Sequence, residues 1–343
     1  MAPSMASLSR GGTLTVACLL LTVVAKPASP NILFIVADDL GYADLGVRNG
    51  GLTLTPAIDA LVDGGISLRS YYAFKICSPS RASSLTGRYP WGSGFYDMSN
   101  DLDHTTTNFT LWPELLRREG NYATHAIGKV SIMRGPRGVG ASLRAAVLAQ
   151  GVACLTVSLP HVPFTSQWDV GLALQSDTPT HRGFDSFFGY LSPCNGDYWT
   201  HSASGGIMCG GVYNASLQDW SNSTSAGLAP ADRDAINGTY NRQLVSDRAV
   251  SIIAAHPTSQ PLMAYIAFMN GHEACADGPK TGVQAPLSTV GLYNTTQLDT
   301  YKLAGAMVTE LDIGVAAIVA ALKARPGMWE NSVLVFISDN GGE

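Results

Sequence analysis

Charge is scarce in this chain. Asp, Glu, Lys and Arg together make up 14% of the 343 residues and leave a net charge of −5. No basic arm or stripe stands out, which argues against nucleic-acid binding, since that binding rests on clustered Lys and Arg. Beyond the first 25 residues no apolar run looks like a membrane helix, so no stable membrane insertion is expected. No internal repeat is visible. One stretch lacks acid altogether: residues 130–167 contain no Asp or Glu, and Arg134, Arg137 and Arg144 are their only Lys or Arg. That composition sets the stretch apart from the acidic chain around it.

What is present begins with a leader. Residues 1–25 read as a signal peptide, with Arg10 ahead of the apolar run Thr13–Ala25, which is short for a bilayer span. Five N-x-[ST] sequons, at Asn108, Asn214, Asn222, Asn237 and Asn294, agree with passage through the secretory pathway. Of six cysteines, Cys18 lies in the leader, Cys194 and Cys209 flank a Gly/Ser-rich loop as a candidate disulfide, and Cys275 has no obvious partner.

The remaining chain alternates between two periodicities. Short apolar runs predict strands at 31–37, 122–127, 261–268 and 332–338; helices are predicted at 56–64, 80–86, 112–119, 240–255 and 298–324. In the last of these, Leu303, Met307, Leu311, Ile313 and Ile318 form a broad apolar stripe. Strands separated by helices give an α/β class with a doubly wound, mainly parallel sheet and helices on both faces.

Two of the strands end alike. Asn31–Ala37 runs into Asp38-Asp39, and Val333–Ser338 runs into Asp339-Asn340. Runs without polar alternation suit strands buried on both faces, and ligands gather at the carboxyl ends of parallel strands. Three carboxylates and an amide oxygen at one edge make a hard site, suited to Ca²⁺ or Mg²⁺ rather than zinc. Between these strands lies Cys77-Ser78-Pro79-Ser80-Arg81, a C-x-P-x-R box, followed by Ala82-Ser83-Ser84-Leu85-Thr86-Gly87-Arg88. Pro79 suits the first turn of a helix, whose free N–H groups favour an anion. Arg81 offers a planar fork for two oxygens of a tetrahedral anion. Read blandly, Cys77 is a buried or disulfide-bonded cysteine and Arg81 a surface arginine.

Over residues 31–129 and 168–343 these motifs resemble the type I, formylglycine-dependent sulfatases, most nearly the arylsulfatase B branch. The resemblance implies an alkaline-phosphatase-like fold and hydrolysis of sulfate esters, carbohydrate or aryl. It implies that a formylglycine-generating enzyme in the endoplasmic reticulum oxidises Cys77 to formylglycine, whose hydrate attacks sulfur. One Ca²⁺ would be held by Asp38, Asp39, residue 77, Asp339 and Asn340. Lys129, after the predicted strand 122–127, would touch both the sulfate and the residue-77 oxygen; His272, after 261–268, would contact the ester near the leaving group. The bland alternatives are a solvated lysine and an ordinary loop histidine. Arg182–Tyr190 and Asp197–His201 resemble the segment near the pocket rim, which points to carbohydrate sulfates, although Phe184, Phe187 and Phe188 read as core. The expected location is secreted or lysosomal. Relatives continue past this point with a further lysine and a C-terminal subdomain, so residues 26–343 are expected to be an incomplete catalytic domain.

The chain departs from the family after Lys129. Relatives read Gly-Lys-Trp-His-Leu-Gly; here Val130 follows, and the pattern resumes at Trp168-Asp169-Val170-Gly171. The intervening 130–167 reads either as an intron translated in frame or as a genuine surface insertion, which chain thermodynamics tolerates. Joining its flanks puts Asp169 where the family has a histidine that takes a proton from the sulfated hydrate. Asp169 is thus the candidate base, at the cost of like-charge repulsion beside the ester. Two alternatives stay open: an inactive sulfatase-like glycoprotein, and a phosphoesterase of the same fold.

Overall fold

Residues 29–93, 109–129, 178–190, 197–201, 220–224, 229–274, 282–293 and 299–342 are described by the computed structural model. The residues named in the leader, the acid-free stretch, Asp169, Cys194, Cys209, Cys275 and the sequons at Asn108, Asn214 and Asn294 lie outside them.

All four expected strands form. They are β1 (Asn31–Ala37), β2 (Ala123–Lys129), β5 (Leu262–Ala267) and β6 (Ser332–Ser338), and two more, β3 (Ser186–Tyr190) and β4 (Trp220–Thr224), extend the sheet. The order is β4-β3-β2-β5-β1-β6, parallel throughout except for the antiparallel pair β3/β4. β2 runs two residues further than its apolar stretch predicts, because Gly128 and Lys129 keep pairing with Gly189 and Tyr190.

The helices are α1 (Pro56–Gly64), α2 (Cys77–Thr86), α3 (Trp112–Gly120), α4 (Asn241–Ala255) and α5 (Asp299–Lys323), with shorter turns between. The alternation along central strand β5 shows the two faces. Leu262, Ala264 and Ile266 join a cluster with Val245, Ala249 and Ile253 of α4 and Met307, Leu311 and Ile318 of α5. Met263, Tyr265 and Ala267 join a second cluster with Leu85 of α2 and, partly buried, Trp112 and Leu116 of α3. A strand apolar at every position is what a sheet covered on both sides requires.

Three expectations need correction. β6 pairs only with β1 among the described residues and lies at the sheet edge, so its side chains are half covered rather than buried, Val333 being 48% exposed. In α5, Ile313 faces outward, while Glu310 and Asp312 are buried. Asp312 accepts from the N–H groups of Ala57 (3.1 Å) and Ile58 (2.7 Å), capping α1 from outside its own sequence; Glu310 accepts from Arg242 at 2.6 Å. Finally, α5 is long and apolar enough to cross a membrane by length and composition. Its buried residues instead form the core against β5 and α4.

Candidate active site

Parallel register brings the strand ends to one edge. Ala37 pairs with Ser338, so Asp38-Asp39 and Asp339-Asn340 leave neighbouring strands side by side. The exits are tied together: Asp339 N–H donates to Ala37 O (3.1 Å), Asp39 N–H to Asp339 Oδ1 (3.1 Å) and Leu40 N–H to Ser338 Oγ (2.9 Å). Asp39 itself takes φ 51°, a left-handed turn unusual for a non-glycine residue and most frequent at functional sites. Beyond β5 the chain crosses so close that a Cβ on Gly271 would stand 1.8 Å from Asp38 O, and φ is 119° there. Only glycine fits, and the next residue is His272.

Helix α2 starts at Cys77, three residues before the predicted 80–86, so residue 77 stands at the helix N-terminus and Pro79 in its first turn. Cys77 is buried. Its Sγ lies 3.7 Å from Asp38 Oδ1, 3.7 Å from Asp39 Oδ1 and 3.8 Å from Lys129 Nζ. Ligand atoms of Asp38, Asp39, Cys77 and Asp339 all fall within 4.8 Å of one another. Asn340 Nδ2 donates to Asp39 Oδ1 at 2.5 Å, which brings in the fifth expected residue.

Two cations face the three carboxylates. Lys129, fully buried, places Nζ 2.5 Å from Asp38 Oδ2. Arg81 is also buried, and its donors are spent on protein: Nε on Asp339 Oδ2 (2.8 Å), Nη1 on Lys129 O (2.9 Å) and Nη2 on Asp38 Oδ1 (3.0 Å). The fork expected to hold an anion instead grips two carboxylates, because the helix register aims it along the sheet edge. His272 is partly exposed, with Nε2 3.6 Å from Asp39 Oδ2 and Nδ1 2.7 Å from Glu273 O.

Electrostatics follow from this packing. Burial pushes the Asp38 carboxyl upward, but Lys129 and Arg81 outweigh it and hold its pKa below the ordinary value. Asp339 stays raised, burial prevailing over Arg81. Burial also raises the Cys77 thiol far above its ordinary range, and the surrounding carboxylates add to it. Lys129 is held protonated by Asp38 despite burial.

The residues fit a divalent cation. Among the described residues Asn340 Oδ1 is buried with no hydrogen-bond partner, beside three carboxylates faced by Lys129 and Arg81. An orphaned neutral oxygen within an acidic cluster is the donor set of a hard ion.

This constellation can be set beside known proteins. The sequence profile of the sulfatases, described as "Sulfatase", matches residues 30–343. The chain belongs to the sulfatase family. Mouse arylsulfatase J is 29% identical to this sulfatase over 328 residues, 93% of this chain and 44% of that protein. Bovine arylsulfatase A is 40% identical over 131 residues, covering 37% of this chain and 25% of the relative. Among solved structures, the crystal structure of Ps i-CgsB superposes with a TM-score of 0.64 at 26% identity, covering 92% of this chain and 59% of that one. The sulfatase chain thus spans about half the length of the relatives it matches.

Some residues of this sulfatase site were not singled out by sequence. Tyr198 is fully buried, and its hydroxyl lies 2.9 Å from Met269 O and 2.8 Å from His272 O, bracketing the turn that carries His272. Asn270, also buried, donates to Met307 O (3.1 Å) and Tyr240 Oη (3.3 Å) and fastens the same turn to α5. Asn270 has a visible signal, a polar residue directly after an apolar strand; Tyr198 lies in the segment resembling the pocket rim, but its role as an anchor was not legible because its partners are backbone carbonyls.

Proposed function

We propose that the complete protein hydrolyses sulfate esters at this edge, through a formylglycine made from Cys77 and with Ca²⁺ held by Asp38, Asp39, Asp339 and Asn340. The observation that carries the reading is the position of Cys77 Sγ, within 3.8 Å of Asp38, Asp39 and Lys129 at the start of a buried helix. A soft sulfur is a poor companion for hard oxygen ligands. Oxidation to formylglycine puts aldehyde-hydrate oxygens where the sulfur stands, completing an all-oxygen set; this favours a sulfatase over a thiol-dependent phosphoesterase.

A bound cation supplies charge neutralisation of sulfate oxygens and orientation of the residue-77 oxygen. Arg81 holds Asp38 and Asp339 in place and favours the ionised form of Asp38. Lys129, already 2.5 Å from Asp38, offers its remaining donors to a sulfuryl oxygen and to residue 77. His272, partly exposed beside Asp39, is assigned contact with the ester near the leaving oxygen. Asp169 is assigned the role of base for the second half-reaction. Carbohydrate sulfates are the favoured substrates: Ps i-CgsB is also known in complex with k-i-k-neocarrahexaose, and pig N-acetylgalactosamine-6-sulfatase is 38% identical over 123 residues. Entry to the secretory pathway, meeting the formylglycine-generating enzyme there, and a secreted or lysosomal destination belong to the same reading.

The test is protein secreted from a host with the converting enzyme. The tryptic peptide of residue 77 should carry formylglycine, and hydrolysis of an aryl sulfate should require Ca²⁺, vanish in Cys77→Ala and exceed hydrolysis of the matching aryl phosphate. An unconverted thiol together with phosphate preference would overturn the reading.

A further inference from the structure

We propose that Asn237 is the attachment point of an N-linked oligosaccharide, on the rim of the sheet edge that carries the site, and that Asn222, the other described sequon, is left bare. The inference rests on the secretory part of the reading above. Asn237-Gly238-Thr239 lies in the turn between a short helix, Arg233–Ile236, and α4. The Asn237 side chain is exposed, and the turn does not depend on it: its own N–H donates to Arg233 O (2.9 Å), Gly238 N–H to Trp199 O (2.9 Å) and Thr239 N–H to Ile236 O (3.1 Å). A backbone held by backbone partners keeps its shape when the side chain is extended by a sugar. Gly238 takes φ 84°, with nothing within 4 Å of where a Cβ would stand, so the middle position of the sequon is uncrowded. Arg233, Asp234 and Asp232 nearby are exposed as well.

Asn222 is exposed as well, but its backbone setting and side-chain partner differ. It sits inside β4, its backbone paired with Phe188 of β3 on one side and its N–H bonded to Ala229 O (2.8 Å) on the other. Its Oδ1 accepts from Arg248 Nη2 at 3.4 Å, and that guanidinium lies over the Phe188 ring, 5.4 Å from the centroid. Glycosylation at Nδ2 leaves that Oδ1 contact intact, but an oligosaccharide on Asn222 would stand on a paired strand beside Arg248, whereas Asn237 lies in an open turn.

Topology fixes where the Asn237 glycan stands. α4 returns the chain to the start of β5, and a helix in such a crossover runs antiparallel to its strand. Its N-terminal end, four residues beyond Asn237, therefore lies at the carboxyl ends of the strands, and Tyr240 there touches Asn270 next to the His272 turn. In the transfer itself, the Asn237 Nδ2–sugar C1 bond forms as the sugar–pyrophosphate bond of a lipid-linked oligosaccharide breaks. Nδ2 loses one proton and the lipid pyrophosphate leaves.

The experiment expresses the full 343-residue chain in a glycosylating secretory host and maps each sequon by mass spectrometry after enzymatic deglycosylation in heavy-oxygen water. The expected result is label at Asn237 in most molecules and none at Asn222. Asn237→Gln and Thr239→Ala should each remove one glycan step on a gel, while Asn222→Gln removes none. Secreted protein glycosylated elsewhere but unlabelled at Asn237, or labelled at Asn222, overturns the assignment and leaves the secretory reading standing. Protein with no label at any sequon overturns both.

Discussion

Single side chains at the site are coupled tightly enough that each has a distinct signature when removed. Lys129 and Asp38 are both fully buried and 2.5 Å apart. Lys129→Met, a near match in volume, strips Asp38 of one cation and leaves a buried carboxylate held by Arg81 alone. Breaking a buried pair from one side costs about 3–5 kcal/mol, so Lys129→Met should lose that much unfolding free energy at neutral pH, read as a lower urea midpoint. The same change should be much milder in the double variant Lys129→Met/Asp38→Asn, since no unpaired charge remains. Asn340 makes the opposite case. Its Oδ1 has no partner among the described residues, so Asn340→Ala should weaken Ca²⁺ binding on the order of tenfold, about 1.4 kcal/mol. Calorimetry reads that loss; an unchanged Kd would remove Asn340 from the ligand set.

At the scale of elements, close crossings at the strand ends decide the geometry. A Cβ at position 271 would meet Asp38 O at 1.8 Å, and one at Gly128 would meet Ala267 O at 1.9 Å, both at positive φ. Gly271→Ala adds backbone strain to a steric clash and should destabilise by at least about 3 kcal/mol, read as a lowered urea midpoint. Gly87, also at positive φ but with open space around it, should tolerate alanine better. This contrast shows what sequence conveys. Strands β1 and β5 were legible because buried strands write themselves as unbroken apolar runs, and the acidic cluster because its residues sit directly after such runs. β3 and β4 were not: Trp220–Thr224 is largely polar, and its pairing with β3 comes from tertiary register. Arg81 was found as a residue, but not its partners, since Asp339 lies 258 positions away. Glu310 and Asp312 escaped notice because helical periodicity marks where apolar residues should face and says nothing of a carboxylate needed to pair with an arginine or to cap another helix.

For the molecule as a whole, two histidines set the response to acid. His201 is fully buried, its Nε2 2.8 Å from Thr239 O and its ring edge-on to Trp220. Burial depresses its pKa to about 4, against the pull of the Thr239 carbonyl. His125, partly buried in β2 against Ser186 Oγ at 2.7 Å, is likewise lowered by burial to about 4. Both are neutral in the fold and protonate more readily in the unfolded chain. Between pH 6.5 and about 4 the unfolded state therefore binds more protons, and stability falls as pH falls. For His201 the loss approaches roughly 3 kcal/mol over that window; His125, less enclosed, contributes less. The carboxyls act elsewhere. Asp38, held below its ordinary value, loses its contribution only below about pH 4. Asp339 and Asp312, raised by burial, take up protons more readily when folded and partly offset the histidines just above that point. His201→Gln retains an N–H donor for the Thr239 carbonyl but cannot titrate. Its urea midpoint should decline less steeply than that of the unmodified chain from pH 6.5 to 4, with the two converging in relative stability toward the acid end. Parallel slopes would mean that His201 is not held neutral. Protonation of the candidate ligand carboxylates would also oppose cation binding, so fold and site weaken together as the pH falls.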